Sequence, residues 1–318
     1  MTHDTRPDYS RRHLLQLGAL TGGALALNRT LTAASAPALP PITRPIPATG
    51  EKLPVIGIGT NAFRESGFGE IRGMLQRMRE LGASLIDTAP SYGESEGVIG
   101  RALADLGARD RMFISTKFNA AGKGWGAQDN VSGRESFEQS LDRLRTRRID
   151  LLEVHRIAGL DDLMPLMLEY KKAGRIRYLG VTTFQNSEHD QMAAALRRHP
   201  LDFIQIDYSL ANRSAAETVL PLALERKVAV MINVPLGGRR GSLFQETGGR
   251  ELPKWAADFD AMNWSQFFLK YVVSHPAVTC VIPGSTQLSH LEENQSAGFG
   301  RLPDAGQRRR IEAFWDGK

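Results

Sequence analysis

The sequence predicts an α/β protein with a (β/α)8 TIM barrel and a short N-terminal β-hairpin, and three observations lead to this fold class. Eight short runs of β-branched and apolar residues recur along the chain. Between them lie segments with apolar residues at positions i, i+3 and i+4, which is the spacing of amphipathic helices. No Gly-x-Gly-x-x-Gly opens a helix after a strand, as an open dinucleotide-binding sheet would require. Eight alternating units within about 260 residues therefore favour a closed barrel.

The predicted elements follow one another in the order that a barrel requires. A hairpin over residues 42–53, with Thr49-Gly50 as its turn, comes first and is expected to cap the bottom of the barrel. The eight predicted strands are residues 55–59, 84–88, 112–117, 150–155, 178–182, 203–207, 229–234 and 278–283. The predicted helices are residues 71–81, 97–106, 136–144, 163–172, 191–198, 216–226, 264–273, 291–296 and 303–315. Residues 235–262 form the longest irregular stretch, and a loop of that length usually has a function.

The composition is that of an ordinary globular protein, and it excludes several classes of site. The chain has 318 residues, of which 42% are hydrophobic and 24% charged, and its net charge is +5. Its one cysteine, Cys280, excludes an intramolecular disulfide framework and any multi-cysteine zinc or iron–sulfur site. Part of the positive charge lies in residues 1–38, which hold four arginines and two aspartates. No nucleic-acid partner is expected, because no recognised motif or interleaved aromatic residues accompany the basic residues.

Residues 1–38 have the layout of a cleavable export signal. The adjacent Arg11 and Arg12 precede a moderately apolar run at residues 14–27, and a small-residue stretch follows, with a preferred cleavage site at Ala36-Pro37-Ala38. At about 1.5 Å per residue the run reaches about 21 Å, which is too short for a stable membrane span of about 30 Å. The paired arginines resemble a twin-arginine (Tat) signal, which the twin-arginine export machinery recognises as an address.

This resemblance implies a twin-arginine signal peptide at residues 1–38, a barrel at residues 39–318 and a periplasmic location for the barrel. It also implies that the barrel folds, and can load a cofactor, before export. The alternative is a disordered basic tail with a chance arginine pair, on a protein that stays cytoplasmic.

Polar residues end three consecutive predicted strands. Asp87 ends the second strand and Tyr92 follows it, Lys117 ends the third, and His155 ends the fourth. Since the C-terminal ends of barrel strands carry the chemistry, we expect these side chains to meet. A lysine ammonium lowers the pKa of a tyrosine, a carboxylate holds the ammonium in place, and a histidine orients a carbonyl oxygen. Singly these residue types are ordinary turn, packing or surface groups, but together they predict proton transfer to a carbonyl.

The pattern Asp-Thr-Ala-x-x-Tyr-Gly at residues 87–93, followed by Lys117 and His155, resembles the aldo-keto reductase family over roughly residues 45–316. The resemblance implies a (β/α)8 barrel that reduces aldehydes and ketones with NADPH and without a metal. Carried over to this sequence, Tyr92 is the general acid, Lys117 and Asp87 tune it, and His155 positions the substrate carbonyl.

The same resemblance implies a nicotinamide cofactor site along the remaining strand ends and the helix that follows the eighth strand. Ser285 and Thr286 precede that helix, where free backbone N–H groups attract phosphate. Ser289-x-x-Glu292 has the pattern of a capping box at the start of the helix. The residues implied to bind the cofactor are Thr60, Thr182, Thr183, Gln205, Pro235, Leu236, Gly237, Gly284, Ser285, Thr286, His290, Glu293 and Asn294.

Three positions depart from the family pattern. His290 stands where known members carry an arginine for the 2′-phosphate, which weakens the preference for NADPH and makes NADH possible. Thr183 stands where the family usually has asparagine. Asn233 replaces an aromatic residue that is expected to stack on the nicotinamide ring.

The substrate pocket and the loop after the seventh strand leave alternatives open. Phe63 and Trp125 are candidates for an apolar wall of the pocket, and both can equally be loop packing. Arg239 and Arg240 either clasp the pyrophosphate of the cofactor or belong to a solvated loop.

Two functional hypotheses follow from these observations. The first is an NAD(P)H-dependent oxidoreductase that reduces a small-molecule aldehyde or ketone to the alcohol, with Tyr92 as general acid. The alternative is a cofactor-binding regulatory or redox-sensing protein with little turnover. The substitutions at Asn233 and His290 favour the alternative, and the complete set of four strand-end residues favours the enzyme.

Overall fold

The computed structural model describes residues 39–123, 131–238 and 242–317. The predicted signal at residues 1–38, Trp125, Arg239 and Arg240 lie outside the described residues. Among the helices of the described part, none is long and apolar enough to cross a membrane.

Eight parallel strands form the centre of the structure, as the alternating sequence pattern predicts. Each strand pairs with the next one along the chain, in the order β3 to β10. Parallel bridges from Ile56 to Val281 and from Gly59 to Gly284 join the first strand to the last and close the barrel. The strands are β3 (Ile58–Gly59), β4 (Leu85–Asp87), β5 (Phe113–Phe118), β6 (Ile149–Val154), β7 (Ile176–Thr182), β8 (Phe203–Asp207), β9 (Ala229–Asn233) and β10 (Cys280–Val281). The (β/α)8 prediction is therefore confirmed.

The predicted N-terminal hairpin is present and consists of β1 (Thr43–Pro45) and β2 (Lys52–Pro54), which pair antiparallel. At its turn the Gly50 N–H donates to the Ile46 carbonyl at 2.8 Å. Gly50 has a φ of +77°, a conformation that glycine adopts without steric cost. Ile46 and Leu53 pack into the apolar interior of the barrel, so the hairpin closes its bottom end.

Helices surround the sheet and turn apolar stripes towards it. In α1 the buried residues are Ile71, Met74, Leu75 and Met78, which is the i, i+3, i+4, i+7 spacing of one helical face. The helices are α1 (Phe68–Glu80), α2 (Ser95–Asp105), α3 (Gly133–Arg143), α4 (Leu160–Lys172), α5 (His189–Arg198), α6 (Val219–Glu225), α7 (Leu243–Glu246), α8 (Trp264–Val273), α9 (Leu288–Ser296) and α10 (Ala305–Asp316).

The expectation of one irregular stretch at 235–262 is wrong. This segment contains α7 and a 3-10 helix, Lys254–Phe259, whose Phe259 is buried in the outer core. Local sequence gave little sign of these short helices because neither is long enough to show a helical period.

The expectation of a capping box at Ser289-x-x-Glu292 is also wrong. Helix α9 begins earlier, at Leu288, and its N-cap residue Gln287 makes no side-chain capping hydrogen bond. Glu292 instead pairs with Arg77 of α1, with 2.6 Å between Nε and Oε1. A capping box does occur at the start of α10, where Asp304 and Gln307 bond reciprocally.

The interior of the barrel is apolar at the N-terminal ends of the strands, called the bottom here, and polar at their C-terminal ends. The lower part is closed by buried side chains that point inward from the strands and the hairpin: Ile46, Leu53, Leu85, Phe113, Leu151, Tyr178, Phe203, Ala229, Met231, Cys280 and Ile282. Above them, towards the C-terminal strand ends, the buried inward residues are Asp87, Ser115, Lys117, Glu153, Thr182 and Gln205. This apolar floor makes the C-terminal end the open, polar end of the barrel.

The contact between α2 and α3 provides a test of this packing. A Cβ added at Gly100 would lie 2.8 Å from Leu144 Cα and also collide with the Arg143 carbonyl, so Gly100→Ala has to push α3 away from α2. We expect this substitution to lower the free energy of unfolding by about 2 kcal/mol in urea denaturation.

Gly97→Ala on the same helix is the matched control, because a Cβ at Gly97 meets no atom within 4 Å. It should leave stability unchanged or raise it by up to about 1 kcal/mol through helix propensity. Equal effects of the two substitutions would contradict the close approach of α2 to α3.

Candidate active site

The four predicted catalytic residues come together at the C-terminal end of the barrel. Asp87 ends β4, and Tyr92 ends a short 3-10 helix, Pro90–Tyr92, which directly follows that strand. Lys117 lies in β5, and His155 directly follows β6. Since β4, β5 and β6 are neighbours in the sheet, their ends bring these residues to one place.

A buried ion pair lies at the base of this group. Lys117 Nζ is 2.6 Å from Asp87 Oδ1, and both side chains are almost fully removed from solvent. The ammonium also donates to the Thr88 carbonyl at 2.9 Å. Burying two charges costs free energy unless each finds close partners, and these contacts provide them.

Gln205 of β8 holds Asp87 from the other side. Its Nε2 donates to Asp87 Oδ1 at 3.0 Å, and its Oε1 accepts from the Thr182 hydroxyl at 2.6 Å. The resemblance gave Gln205 a role in cofactor binding, and in the structure both ends of its amide have partners within the protein. Gln205 therefore fixes the orientation of the Asp87 carboxylate.

The ion pair keeps Lys117 charged despite its burial. Burial alone would lower the pKa of its ammonium, but the neighbouring anions, Asp87 first among them, outweigh burial and raise the pKa above its ordinary value. A permanent positive charge is therefore fixed beneath the tyrosine ring, with Nζ 5.3 Å from the ring centroid of Tyr92.

Tyr92 is a protonated phenol in this environment. Burial raises the pKa of its hydroxyl, Lys117 lowers it, and Asp87 and Glu153 raise it again, with a net increase. From the ammonium of Lys117 the sequence predicts a lowered pKa for Tyr92. The ammonium does act in that direction, but burial is the larger effect.

His155 stands beside Tyr92 and is neutral. The two rings meet edge to face with their centroids 5.8 Å apart, and Nδ1 of His155 is 3.4 Å from the Ser91 hydroxyl. Burial, and then the positive charge of Lys117, hold the pKa of His155 well below its usual value of 6.5. A neutral imidazole can donate one hydrogen bond to a carbonyl oxygen without carrying a charge.

A cavity of about 1370 Å³ opens above these groups. It is large enough for a dinucleotide together with a small substrate. Among the predicted residues, those lining it are Thr60, Asp87, Tyr92, His155, Thr182, Gln205, Pro235, Leu236 and Gly284.

Sequence reasoning missed several other lining residues, and the rule of strand ends could have found them. Asn61 and Arg64 follow β3 within a few residues, and Phe184 follows β7 in the same way. Phe244 lies in α7, beyond β9, where the sequence offered no comparable signal.

The other predicted cofactor residues lie outside the lining of this cavity. They are Thr183, Gly237, Ser285, Thr286, His290, Glu293 and Asn294. The side chains of three of them have partners within the protein: the Thr183 hydroxyl donates to Glu188, the Ser285 hydroxyl donates to the Gln287 carbonyl at 3.0 Å, and Asn294 Oδ1 accepts from the Ser265 hydroxyl at 2.6 Å. His290 and Glu293 are exposed on α9.

Phe63 is not a wall of the pocket. It is fully buried in the core that packs around the outside of the barrel. The sequence left loop packing open as the alternative for Phe63, and that alternative is correct.

A comparison with sequence families is decisive at this point. The model of the aldo/keto reductase family matches residues 55–315, which cover the barrel and all four strand-end residues. The chain belongs to the aldo-keto reductase family.

Curated relatives of this aldo-keto reductase come from bacteria, fungi and plants. The aldo-keto reductase YhdN of Bacillus subtilis is 32% identical over 197 residues, which are 58% of this chain and 59% of that protein. The match therefore spans less than two thirds of that relative. The uncharacterized oxidoreductase Mb2320 of Mycobacterium bovis is 30% identical over 283 residues, covering 76% of this chain and 83% of that protein.

Solved structures of other aldo-keto reductases share the fold. An aldo/keto reductase from Klebsiella pneumoniae, in complex with NADP and acetate, superimposes with a TM-score of 0.69 at 24% identity. The superposition covers 84% of this chain and 93% of that one. The holo form of an aldo-keto reductase from Bacillus halodurans gives the same TM-score and identity, over 86% and 95% of the two chains.

The cavity of this aldo-keto reductase fits a nicotinamide group at its inner end. Asn233 donates to the Thr183 carbonyl at 3.1 Å, while its Oδ1 is buried without a hydrogen-bond partner among the described residues. Gly59 and Gly284 also line the cavity, and neither has a side chain, so the rim there is bare backbone. A carboxamide has an N–H group that can donate to Oδ1 of Asn233. It is also flat, which such a rim admits.

The neutral state of His155 predicts a loss of stability in acid. The unfolded chain binds a proton at this residue near pH 6.5 and the folded protein does not, so stability falls as the pH drops below 6.5. Urea denaturation at pH 7.5 and 5.5 should show about 1 kcal/mol more loss for the native protein than for His155→Gln. Parallel losses in the two proteins would contradict a neutral, buried imidazole.

Proposed function

We propose that this aldo-keto reductase reduces aldehydes or ketones to alcohols with NADPH, and that Tyr92 supplies the proton. The observation that carries the proposal is the meeting of Tyr92 and His155 at the floor of the cavity, above the buried pair of Lys117 and Asp87. A phenol, a neutral imidazole and a fixed cation in this order suit the protonation of a carbonyl oxygen.

The cofactor assignment rests on the shape of the cavity and on the family. The Klebsiella reductase was crystallised with NADP, and the cavity here has room and bare backbone at its inner end. When bound, a reduced nicotinamide supplies the hydride for the carbonyl carbon. Thr182 and Asn233 are the residues that would hold its amide. Residues 284–290, of which Gly284 alone lines the cavity, form the segment that the family resemblance assigns to the adenosine phosphates. NADH is the alternative cofactor, because His290 lacks the fork of an arginine.

Tyr92 donates its proton to the carbonyl oxygen as negative charge develops there. Because burial raises the pKa of Tyr92, the proton is still on the phenol at neutral pH and is available for transfer. After transfer the phenolate lies against the Lys117 ammonium, which stabilises it. Asp87 and the Thr88 carbonyl keep that ammonium in place before and after the step.

His155 orients the substrate rather than moving the proton. Its lowered pKa leaves it neutral, so it offers the carbonyl oxygen a hydrogen bond instead of a competing proton. The Ser91 hydroxyl near Nδ1 restricts the rotation of the ring.

Replacing Tyr92 by Phe tests the role of the acid. We expect kcat with NADPH and 4-nitrobenzaldehyde to fall by about 100- to 10,000-fold, the contribution typical of a general acid. Cofactor affinity, measured by quenching of tryptophan fluorescence, should not change, because the hydroxyl is not required to bind the dinucleotide.

Tyr170→Phe is the matched control. The Tyr170 hydroxyl is buried in α4, away from the cavity, and makes no hydrogen bond among the described residues, so its loss should leave turnover intact. A Tyr92→Phe protein with most of its activity would refute Tyr92 as the acid. A native protein that binds NADPH but completes no more than one turnover would favour the regulatory or sensing alternative.

We further propose that residues 1–38 direct export to the periplasm by the twin-arginine pathway. The support is the order of Arg11-Arg12, the short apolar run and the small residues before the barrel. A cytoplasmic location is the alternative.

Substitution of both arginines by lysine, Arg11→Lys with Arg12→Lys, should block this export. In a host with a twin-arginine system, fractionation should find the native protein cleaved in the periplasm and the variant uncleaved in the cytoplasm. Arg29→Lys, which lies outside the pair, should be exported normally. Normal export of the double variant would contradict a twin-arginine signal.

A further inference from the structure

One buried carboxyl group beneath the site has no part in the mechanism above. Glu153 lies in β6, two residues before His155, and its side chain is fully buried. In the register of β5 and β6 it stands opposite Lys117. Residues paired in adjacent parallel strands turn their side chains to the same face, so both point into the barrel.

The barrel is built to hold this side chain. Gly180 of β7 stands opposite Glu153, and a Cβ there would come within 3.3 Å of Glu153 Cγ. Because Gly180 has no side chain, the methylene groups of Glu153 fit against its backbone.

The hydrogen bonds of Glu153 are too few for a carboxylate. The Ser115 hydroxyl donates to Oε2 at 3.2 Å, and Oε1 is buried without a hydrogen-bond partner among the described residues. Asp87, by comparison, has two donors on one oxygen alone. A buried carboxyl group with one weak donor favours its neutral, protonated form.

Ionisable groups face Glu153 from several sides. They are Asp87 and Tyr92 at and after the end of β4, Lys117 of β5 and Cys280 of β10. The other inward neighbours are uncharged: Ser115, Gly180, Phe203, Gln205 and Met231. Tyr178 of β7 directs its hydroxyl to Thr49 and Glu51 at the bottom of the barrel.

The electrostatic consequences agree with this geometry. Burial, opposed by Lys117, raises the pKa of Glu153 to about 8, so the group is neutral at pH 7 and ionises in mild alkali. Its negative charge, once formed, raises the pKa of both Tyr92 and Lys117.

We propose that Glu153 is a positioning residue for Tyr92: its buried carboxyl group, which stands opposite Lys117 and accepts one hydrogen bond from Ser115, keeps Tyr92 in its proton-donating form in alkali. As the pH rises, the Glu153 proton leaves to solvent before that of Tyr92. The negative charge of Glu153 raises the pKa of Lys117 and so keeps its ammonium charged. It also raises the pKa of Tyr92, because a second negative charge on the phenol would be repelled. The group thus extends to higher pH the range in which the site can donate a proton. This inference rests on the proposed function of Tyr92.

Glu153→Gln tests it, because the amide keeps the shape and the bond from Ser115 but cannot ionise. The pKa of Tyr92 is measured from the phenolate absorbance during an alkaline titration. The same titration of the matching Tyr92→Phe protein gives the signal of the other tyrosines, which is subtracted. We expect the Tyr92 pKa to fall by about one unit in Glu153→Gln, as for loss of one nearby charge at an effective dielectric constant of about 20. The alkaline limb of kcat/KM should move down by the same amount.

Two variants separate charge from structure. Glu153→Asp retains an ionisable group and should restore most of the native alkaline limb. Glu96→Gln alters another fully buried glutamate, which pairs with Arg143 outside the barrel, at 2.7 Å. It should lower stability without moving the alkaline limb, because Glu96 is not among the charges that shift the pKa of Tyr92.

The outcomes are distinguishable. Equal Tyr92 pKa values in the native and Glu153→Gln proteins would overturn the inference, whatever the activity. A shifted Tyr92 pKa in a protein without turnover would support the inference and refute the proposed function. Should Glu153→Gln fail to fold, Glu153→Leu decides, because it removes the ionisable group in the same way: the Tyr92 pKa should again fall, and an unchanged Tyr92 pKa would overturn the inference.

Discussion

The ion pair between Lys117 and Asp87 is the interaction on which the site depends. A charge removed from water costs several kcal/mol, so the two groups must be held at hydrogen-bonding distance, here 2.6 Å between Lys117 Nζ and Asp87 Oδ1. Neighbouring strands achieve this, because the sheet fixes the backbone beneath both side chains. Gln205, from the opposite side of the barrel, completes the arrangement. The chemistry of the tyrosine above therefore depends on the register of the sheet.

The apolar floor has a part in that chemistry as well as in stability. Phe113, Tyr178 and Phe203 pack against one another below the polar layer and exclude water from it. Low local polarity strengthens the effect of Lys117 on its surroundings and also raises the cost of ionising Tyr92. The hairpin contributes to the same effect, since Ile46 and Leu53 close the end through which water would otherwise enter.

The sequence predicted the barrel and the four residues at the C-terminal ends of its strands because both follow from local patterns. The periodic spacing of apolar residues in strands and helices is a local pattern. Because the C-terminal ends of barrel strands meet at one end of the barrel, this pattern also predicts which polar side chains lie together. What failed depended on partners far along the chain. Glu292 has the spacing of a capping residue, but Arg77, more than two hundred residues earlier, binds it instead. Phe63, for which the sequence left a pocket wall and loop packing open, is likewise placed by distant partners in the core around the barrel.

The position of Cys280 allows the separation of two barrel strands to be measured. The thiol lies inside the barrel next to the seam where β10 meets the first strand, and it is fully buried. Burial, with Glu153 and Asp87 nearby, raises its pKa far above that of a free cysteine, so almost no reactive thiolate exists in the closed form. Since it is the chain's single cysteine, the rate at which a thiol reagent labels the protein measures how often this seam separates.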